Sequence, residues 1–172
     1  MTRSLAVTVL GHDRPGIIAD VTGVLAELGG NLEDSSMTLL RGHFAWTLVV
    51  AVDADAATVA GRLEHLTAQG LVVSVLPVPE ADHGAAAGSS WLLSVHGADR
   101  PGIVSGLTRV IAEAGGNVTD LTTRLGTGLY VLVAEVALPG EADVEALTAR
   151  IAETASGLGV HATLVPAESD VL

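Results

Sequence analysis

The chain has 172 residues, 49% of them hydrophobic, and sets eight basic residues against 20 acidic ones for a formal net charge of −12. The absence of cysteine and lysine excludes disulfides, thiolate nucleophiles, sulfur-ligated zinc, Schiff bases and phosphate-loop lysines. The acidic balance opposes direct nucleic-acid binding, which relies on clustered cations. Neither a long apolar run nor a leader-like start is present, so no membrane span is expected and the location is read as cytoplasmic.

In chain order, Leu5, Val7 and Val9 alternate with smaller or polar residues, which predicts a half-buried first strand. The period then changes. Ile17, Ile18, Val21, Val24, Leu25 and Leu28 share one helical stripe, with Pro15 suited to the first helical position and Gly29-Gly30 to the end. A strand from Leu32 to Leu40 meets Arg41-Gly42, and a second follows from His43 to Val52, with Phe44, Trp46, Leu48, Val50 and Val52 on one face; this reads as a hairpin. Val59, Leu63 and Leu66 predict a second helix, and Leu71 to Val78 a closing strand.

The rest of the chain repeats the first part. Shifted by 86 positions, Gly11–Ser36 falls on Gly97–Thr122 with 14 of 26 residues identical, a duplication. Trp91, Leu93 and Val95 predict the first strand of this copy, and Ile103, Val104, Leu107, Val110, Ile111 and Ala114 its first helix, with Pro101 and Gly115-Gly116 at the ends. Tyr130, Leu132, Ala134, Val136 and Leu138 line a hairpin strand, Val144, Leu147, Ile151 and Leu158 a second helix, and Val160 to Val165 a last strand. The expected fold class is α+β, with two ferredoxin-like βαββαβ domains whose antiparallel sheets are each covered on one side by two helices. Domain 1 is assigned to residues 1–78, a small-residue linker to 79–90 and domain 2 to 91–172.

The D-R-P-G-I turn and the G-G-N triplet, each present twice, carry the functional signal. Unpaired N–H groups and the positive end of a helix dipole at such a turn suit a carboxylate. Gly11, Gly16, Gly97 and Gly102 are read as opening it to close approach. Asn31 and Asn117 are expected beside the turn, with amides able to donate to a carboxylate and accept from an ammonium. His12, Asp13 and Asp99 complete the candidate set, although Asp13 and Asp99 also suit helix caps. Arg14 and Arg100 can pair with a carboxylate or lie solvated, and the solvated arrangement is the expectation. Position 12 is His in one copy and Ala98 in the other, so the two sites are not expected to be equivalent. The six histidines show no H-x-x-x-H spacing, and no metal site, cofactor loop or nucleophile elbow emerges; no catalytic residue, metal or cofactor is assigned.

The two βαββαβ units with D-R-P-G-I and G-G-N resemble the ACT domain, and a chain made almost wholly of two such units is similar to the glycine cleavage system transcriptional repressor family. That resemblance implies a non-catalytic regulatory protein, binding an amino acid at ACT domain interfaces and modulating a partner, in the context of transcriptional control of amino-acid metabolism. It also implies that the first loop and the residue after the double glycine line the site. Homodimerisation or another protein partner is expected, and the alternative is an interaction or oligomerisation module without a ligand.

Overall fold

The computed structural model describes residues 2–79 and 88–167. The elements run β1 (Arg3–His12), α1 (Ile17–Glu27), β2 (Asn31–Leu40), β3 (His43–Val52), α2 (Ala56–Ala68), β4 (Val72–Pro77), then β5 (Gly88–Gly97), α3 (Ile103–Glu113), β6 (Asn117–Leu125), β7 (Tyr130–Pro139), α4 (Val144–Gly157) and β8 (Val160–Pro166). Each half is thus βαββαβ, with an antiparallel four-stranded sheet of order β2-β3-β1-β4 or β6-β7-β5-β8. The segment read as linker falls mostly on residues 80–87, outside the described residues, and its last three positions already belong to β5, where Gly88 pairs with Pro139.

Alternation determines which sheet face is buried. Leu5, Val7 and Val9 of β1 and Phe44, Trp46, Leu48, Val50 and Val52 of β3 point to one side, where they pack with Ile17, Val21 and Leu25 of α1 and Val59, Leu63 and Leu66 of α2. The second unit repeats this, with Leu93, Val95, Leu132, Ala134, Val136 and Leu138 under α3 and α4. Both helices of each unit therefore cover the same face, and burying these apolar side chains is the main force holding each unit together. An ion pair between the two helices recurs in both, Glu27 with Arg62 and Glu113 with Arg150; being exposed, each contributes at most about 1 kcal/mol.

Turn chemistry fixes the connections. Arg41 and Gly42 both have positive φ, 50° and 83°, as the two-residue turn joining β2 to β3 requires. At the end of α1 the Gly30 N–H donates to the Leu25 carbonyl at 2.8 Å and that of Gly29 to Ala26 at 2.9 Å, a Schellman ending with Gly29 left-handed. Gly30 is needed for a different reason: a Cβ there would lie 3.0 Å from both the Leu25 oxygen and Val50 Cγ2.

Two sequence expectations are corrected. Pro15 and Pro101 are not the first helical residues; each helix begins at Ile17 or Ile103 behind a left-handed glycine, Gly16 at φ 95°, ψ −8° and Gly102 at φ 98°, ψ −7°. Those angles belong to the third residue of a type II turn, whose second residue favours proline. Ile18 and Val104, placed on the core stripe, are 44% and 36% exposed. The turn rotates the start of the helix so that Ile17 and Ile103 enter the core and their neighbours face out.

Candidate functional site

In each unit a groove lies where part of the first helix faces the edge strand. The edge strands are exposed along almost their whole length, and a bulge between Leu32 and Asp34, or Val118 and Asp120, interrupts their pairing. Met37, Leu39 and Leu40 are about half exposed there. Local bulges bend an edge strand and increase its twist, which helps open such a groove.

In the first unit the groove lies at the turn end. Of about 430 Å³, it is lined by Asp13, Arg14, Gly16, Ile17–Ala19, Met37 and Phe44. No side chain caps α1, so the N–H groups of its first turn have no side-chain acceptor. This corrects the reading of Asp13 and Asp99 as caps: the cap positions are Gly16 and Gly102, and no side-chain bond is made at either. Arg14 takes the carboxylate-paired arrangement, its side chain still 34% exposed. Its guanidinium donates to Asp20 at 3.0 Å and to Gln69, tying the turn to the first turn of α1 and the end of α2. Arg100 takes the matching place, its guanidinium carbon 3.1 Å from where a Cβ on Gly159 would stand.

In the second unit the groove lies along α3 towards its C-terminal end. Of about 590 Å³, it is lined by Ser105, Thr108, Arg109, Ile111, Ala112, Gly116, Asn117, Val118 and Leu121. Arg109 has no carboxylate partner among the described residues. In the duplication its position is Gly23 in the first copy, while Asn117 matches Asn31. The floor is apolar and the rim holds a guanidinium, an amide and two hydroxyls.

The structure brings only part of the sequence-derived set together. Asp13 and Gly16 line the first groove and Asn117 the second. Asn31 does not stand beside the turn. It pairs with Ala51, which pairs with Ser4 near the start of β1, whereas the turn follows His12 at the end of that strand. Eight residues of strand, about 26 Å, separate the two. Asn117 is related to Ser90 and Gly97 in the same way through Ala137. His12 lies on the sheet face opposite the helices, against His43. Gly11 and Gly97 do not open space for a ligand, because protein fills it: a Cβ on Gly11 would lie 2.5 Å from Leu71 Cδ2, and one on Gly97 2.9 Å from the Val160 backbone. Asp99 is exposed and lies outside the second groove, and Gly102 serves the type II turn. The residues missed by sequence reasoning are Ile18, Met37 and Phe44 in one unit and Ser105, Thr108, Arg109 and Leu121 in the other. Arg109 was detectable as the cationic counterpart of Gly23; the others depend on which helix face meets the edge strand.

Two antiparallel βαββαβ sheets, each with a grooved first helix, define a duplicated ferredoxin-like protein. Residues 3–74 and 90–164 each match the family model of the ACT domain, and the chain belongs to that family. Among curated relatives, a UPF0237 protein of Methanopyrus kandleri is 44% identical over 70 residues, 41% of this chain and 77% of the relative. A UPF0237 protein of Corynebacterium efficiens is 40% identical over 73 residues, 40% of this chain and 82% of the relative. A crystal structure of an unknown protein from Galdieria sulphuraria is similar over 97% of this chain and 99% of its own, with TM-score 0.84 and 28% identity. A structure assigned as a glycine cleavage system transcriptional repressor is similar over 95% of this chain and 96% of its own, with TM-score 0.67; at 18% identity that likeness concerns the fold alone. Membership of the ACT family supports a regulatory role. No helix among the described residues is long and apolar enough to cross a membrane.

Proposed function

We propose that the chain is a non-catalytic regulator that binds a free amino acid in the groove beside the first helix of an ACT unit and thereby alters its association with a partner. The observation that carries this reading is the second groove, where the Arg109 guanidinium, without a carboxylate partner among the described residues, lines the rim with the Asn117 amide beside Ile111, Val118 and Leu121. A guanidinium matches a carboxylate, an amide oxygen accepts from an ammonium, and an apolar floor takes a side chain. In the first unit the uncapped amides of α1, Gly16 and Asp13 offer a second, non-equivalent pocket. Because the turn and the asparagine lie at opposite ends of one unit, the two grooves are separate sites and not halves of one. The ligand regulates by binding one arrangement of modules more tightly than another.

Calorimetric titration of the full chain with each common amino acid tests the proposal. Saturable binding of at least one is expected, and Arg109→Ala should weaken it about 10- to 100-fold, the value of a charge-assisted hydrogen bond. No binding by any amino acid to folded protein overturns the reading. One observation favours a second reading, an interaction module without a ligand: the edge strands β2 and β6 expose Met37, Leu39, Leu40, Leu121 and Leu125 together with unpaired backbone groups.

A further inference from the structure

Four of the five histidines among the described residues meet in two pairs, and neither pair belongs to the grooves above. His12, the last residue of β1, stands directly opposite His43, the first of β3, and their rings stack with centroids 5.2 Å apart. The Asp13 N–H donates to the Gly42 carbonyl at 3.0 Å. Antiparallel rungs alternate, so the adjoining His12–His43 rung is of the non-hydrogen-bonded kind, in which facing side chains approach most closely. In the second unit His96 of β5 faces His161 of β8, with ring centroids 5.1 Å apart and the planes tilted by 58°.

All four rings are exposed, on the helix-free face of their sheet, at the end where the first strand runs into its helix. Neither pair is a relic of the duplication. His12 and His43 correspond to Ala98 and Leu129, while His96 corresponds to Leu10, which pairs with Val72. Two unrelated rungs at the same end of the same face thus each carry two imidazoles.

We propose that each pair is a two-imidazole chelating site for one divalent transition ion of the zinc, nickel or copper class. These are the ions that imidazole suits, in contrast to magnesium and calcium, which take oxygen ligands. Metal–nitrogen bonds of about 2.0–2.1 Å place the centroids of two rings sharing a tetrahedral ion roughly 5 Å apart. Both pairs already have that spacing, so binding requires the rings to rotate about their side-chain torsions and leaves the strands in register. No third His, Asp, Glu or Cys joins either pair among the described residues. The other coordination positions are therefore filled by water or by donor atoms of a small molecule.

The test is calorimetric titration of the full, metal-free chain with nickel chloride, with magnesium chloride as the control. Two nickel ions per chain are expected, one in His43→Ala, one in His161→Ala and none in the double variant, while magnesium does not bind and His65→Ala retains two. His43→Gln and His161→Gln, which keep side-chain volume and polarity, should give the same counts, and far-ultraviolet circular dichroism should be unchanged throughout. Absence of nickel binding by the parent, or an unchanged count in the double variant, overturns the proposal. So does loss of both ions from either single variant.

Discussion

Glycines at different places in the fold do different work, and substitution separates the roles. A Cβ on Gly116 would lie 2.7 Å from Leu138 Cδ2 and 2.8 Å from Ile111 Cγ2 inside a packed core. Gly116→Ala should therefore destabilise the second unit by about 1–3 kcal/mol, the usual cost of overpacking. Gly23 lies within α1 with nothing within 4 Å of an added Cβ. Gly23→Ala should stabilise the first unit by about 0.5–1 kcal/mol, by helix propensity alone. Urea unfolding of the two variants checks both signs. Capping gives a pH test. Asp55 caps α2, and hydrogen bonds from Thr58, its side chain first and its backbone N–H at 2.8 Å second, hold the carboxyl below the ordinary carboxylate value. A lowered folded-state value means that the contribution is present above the unfolded-state pKa and lost as pH falls through the lower, folded one. Asp55→Asn keeps a capping oxygen but removes the titration, so stability of the first unit measured against pH should fall less steeply in acid. At α4 the Asp143 carboxylate accepts from the Ala146 N–H at 3.0 Å, and Asp143→Ala should cost about 1 kcal/mol.

At the scale of elements, the strands and helices were legible because their periods differ and their ends carry turn residues. The predicted β3 boundaries coincide with those observed, since Arg41-Gly42 sets the hairpin turn and five alternating apolar residues set the register. The site was less legible. Placing Asn31 beside the turn treats D-R-P-G-I and G-G-N as one locus, but the 11 residues of α1 lie between them and carry the chain about 16 Å back along the sheet. Sequence motifs at the two ends of a helix cannot both sit at one of its ends. The cap role given to Asp13 and Asp99 failed for a related reason: proline and glycine form a tight turn of their own, and the left-handed glycine takes the cap position. The histidine pairs were invisible in the sequence because they depend on strand register, and histidines on different strands show no helical spacing. Register also exposes the edge strands to a direct test. Leu39 and Leu125 hold matching positions and are 49% and 55% exposed. If these edges mediate self-association, Leu39→Lys with Leu125→Lys should lower the association state in sedimentation velocity, because an edge lysine opposes strand addition. An unchanged distribution would exclude β2 and β6 as the interface.

At the scale of the whole molecule, the two cores share no residue. One cluster is built from residues 5–71 and the other from residues 93–164, and the chain divides into compact units at 1–83 and 84–172. A duplicated chain whose two core clusters share no residue need not unfold in one step. Leu107 on α3 is fully buried among Leu93, Ile111, Leu132 and their neighbours. Leu107→Ala should lower the stability of the second unit by about 2–5 kcal/mol, through lost burial and the cavity left behind. The first unit contains both tryptophan-bearing and tryptophan-free strands, but each unit has one tryptophan, Trp46 in the first and Trp91 in the second. Two variants, Trp46→Phe and Trp91→Phe, therefore leave one fluorescent reporter apiece. With Leu107→Ala added to each, the Trp91 signal should move to lower denaturant while the Trp46 signal keeps its midpoint. A common shift of both signals would mean that the units unfold as one cooperative body, and a ligand held by either would then be felt by both through folding stability alone.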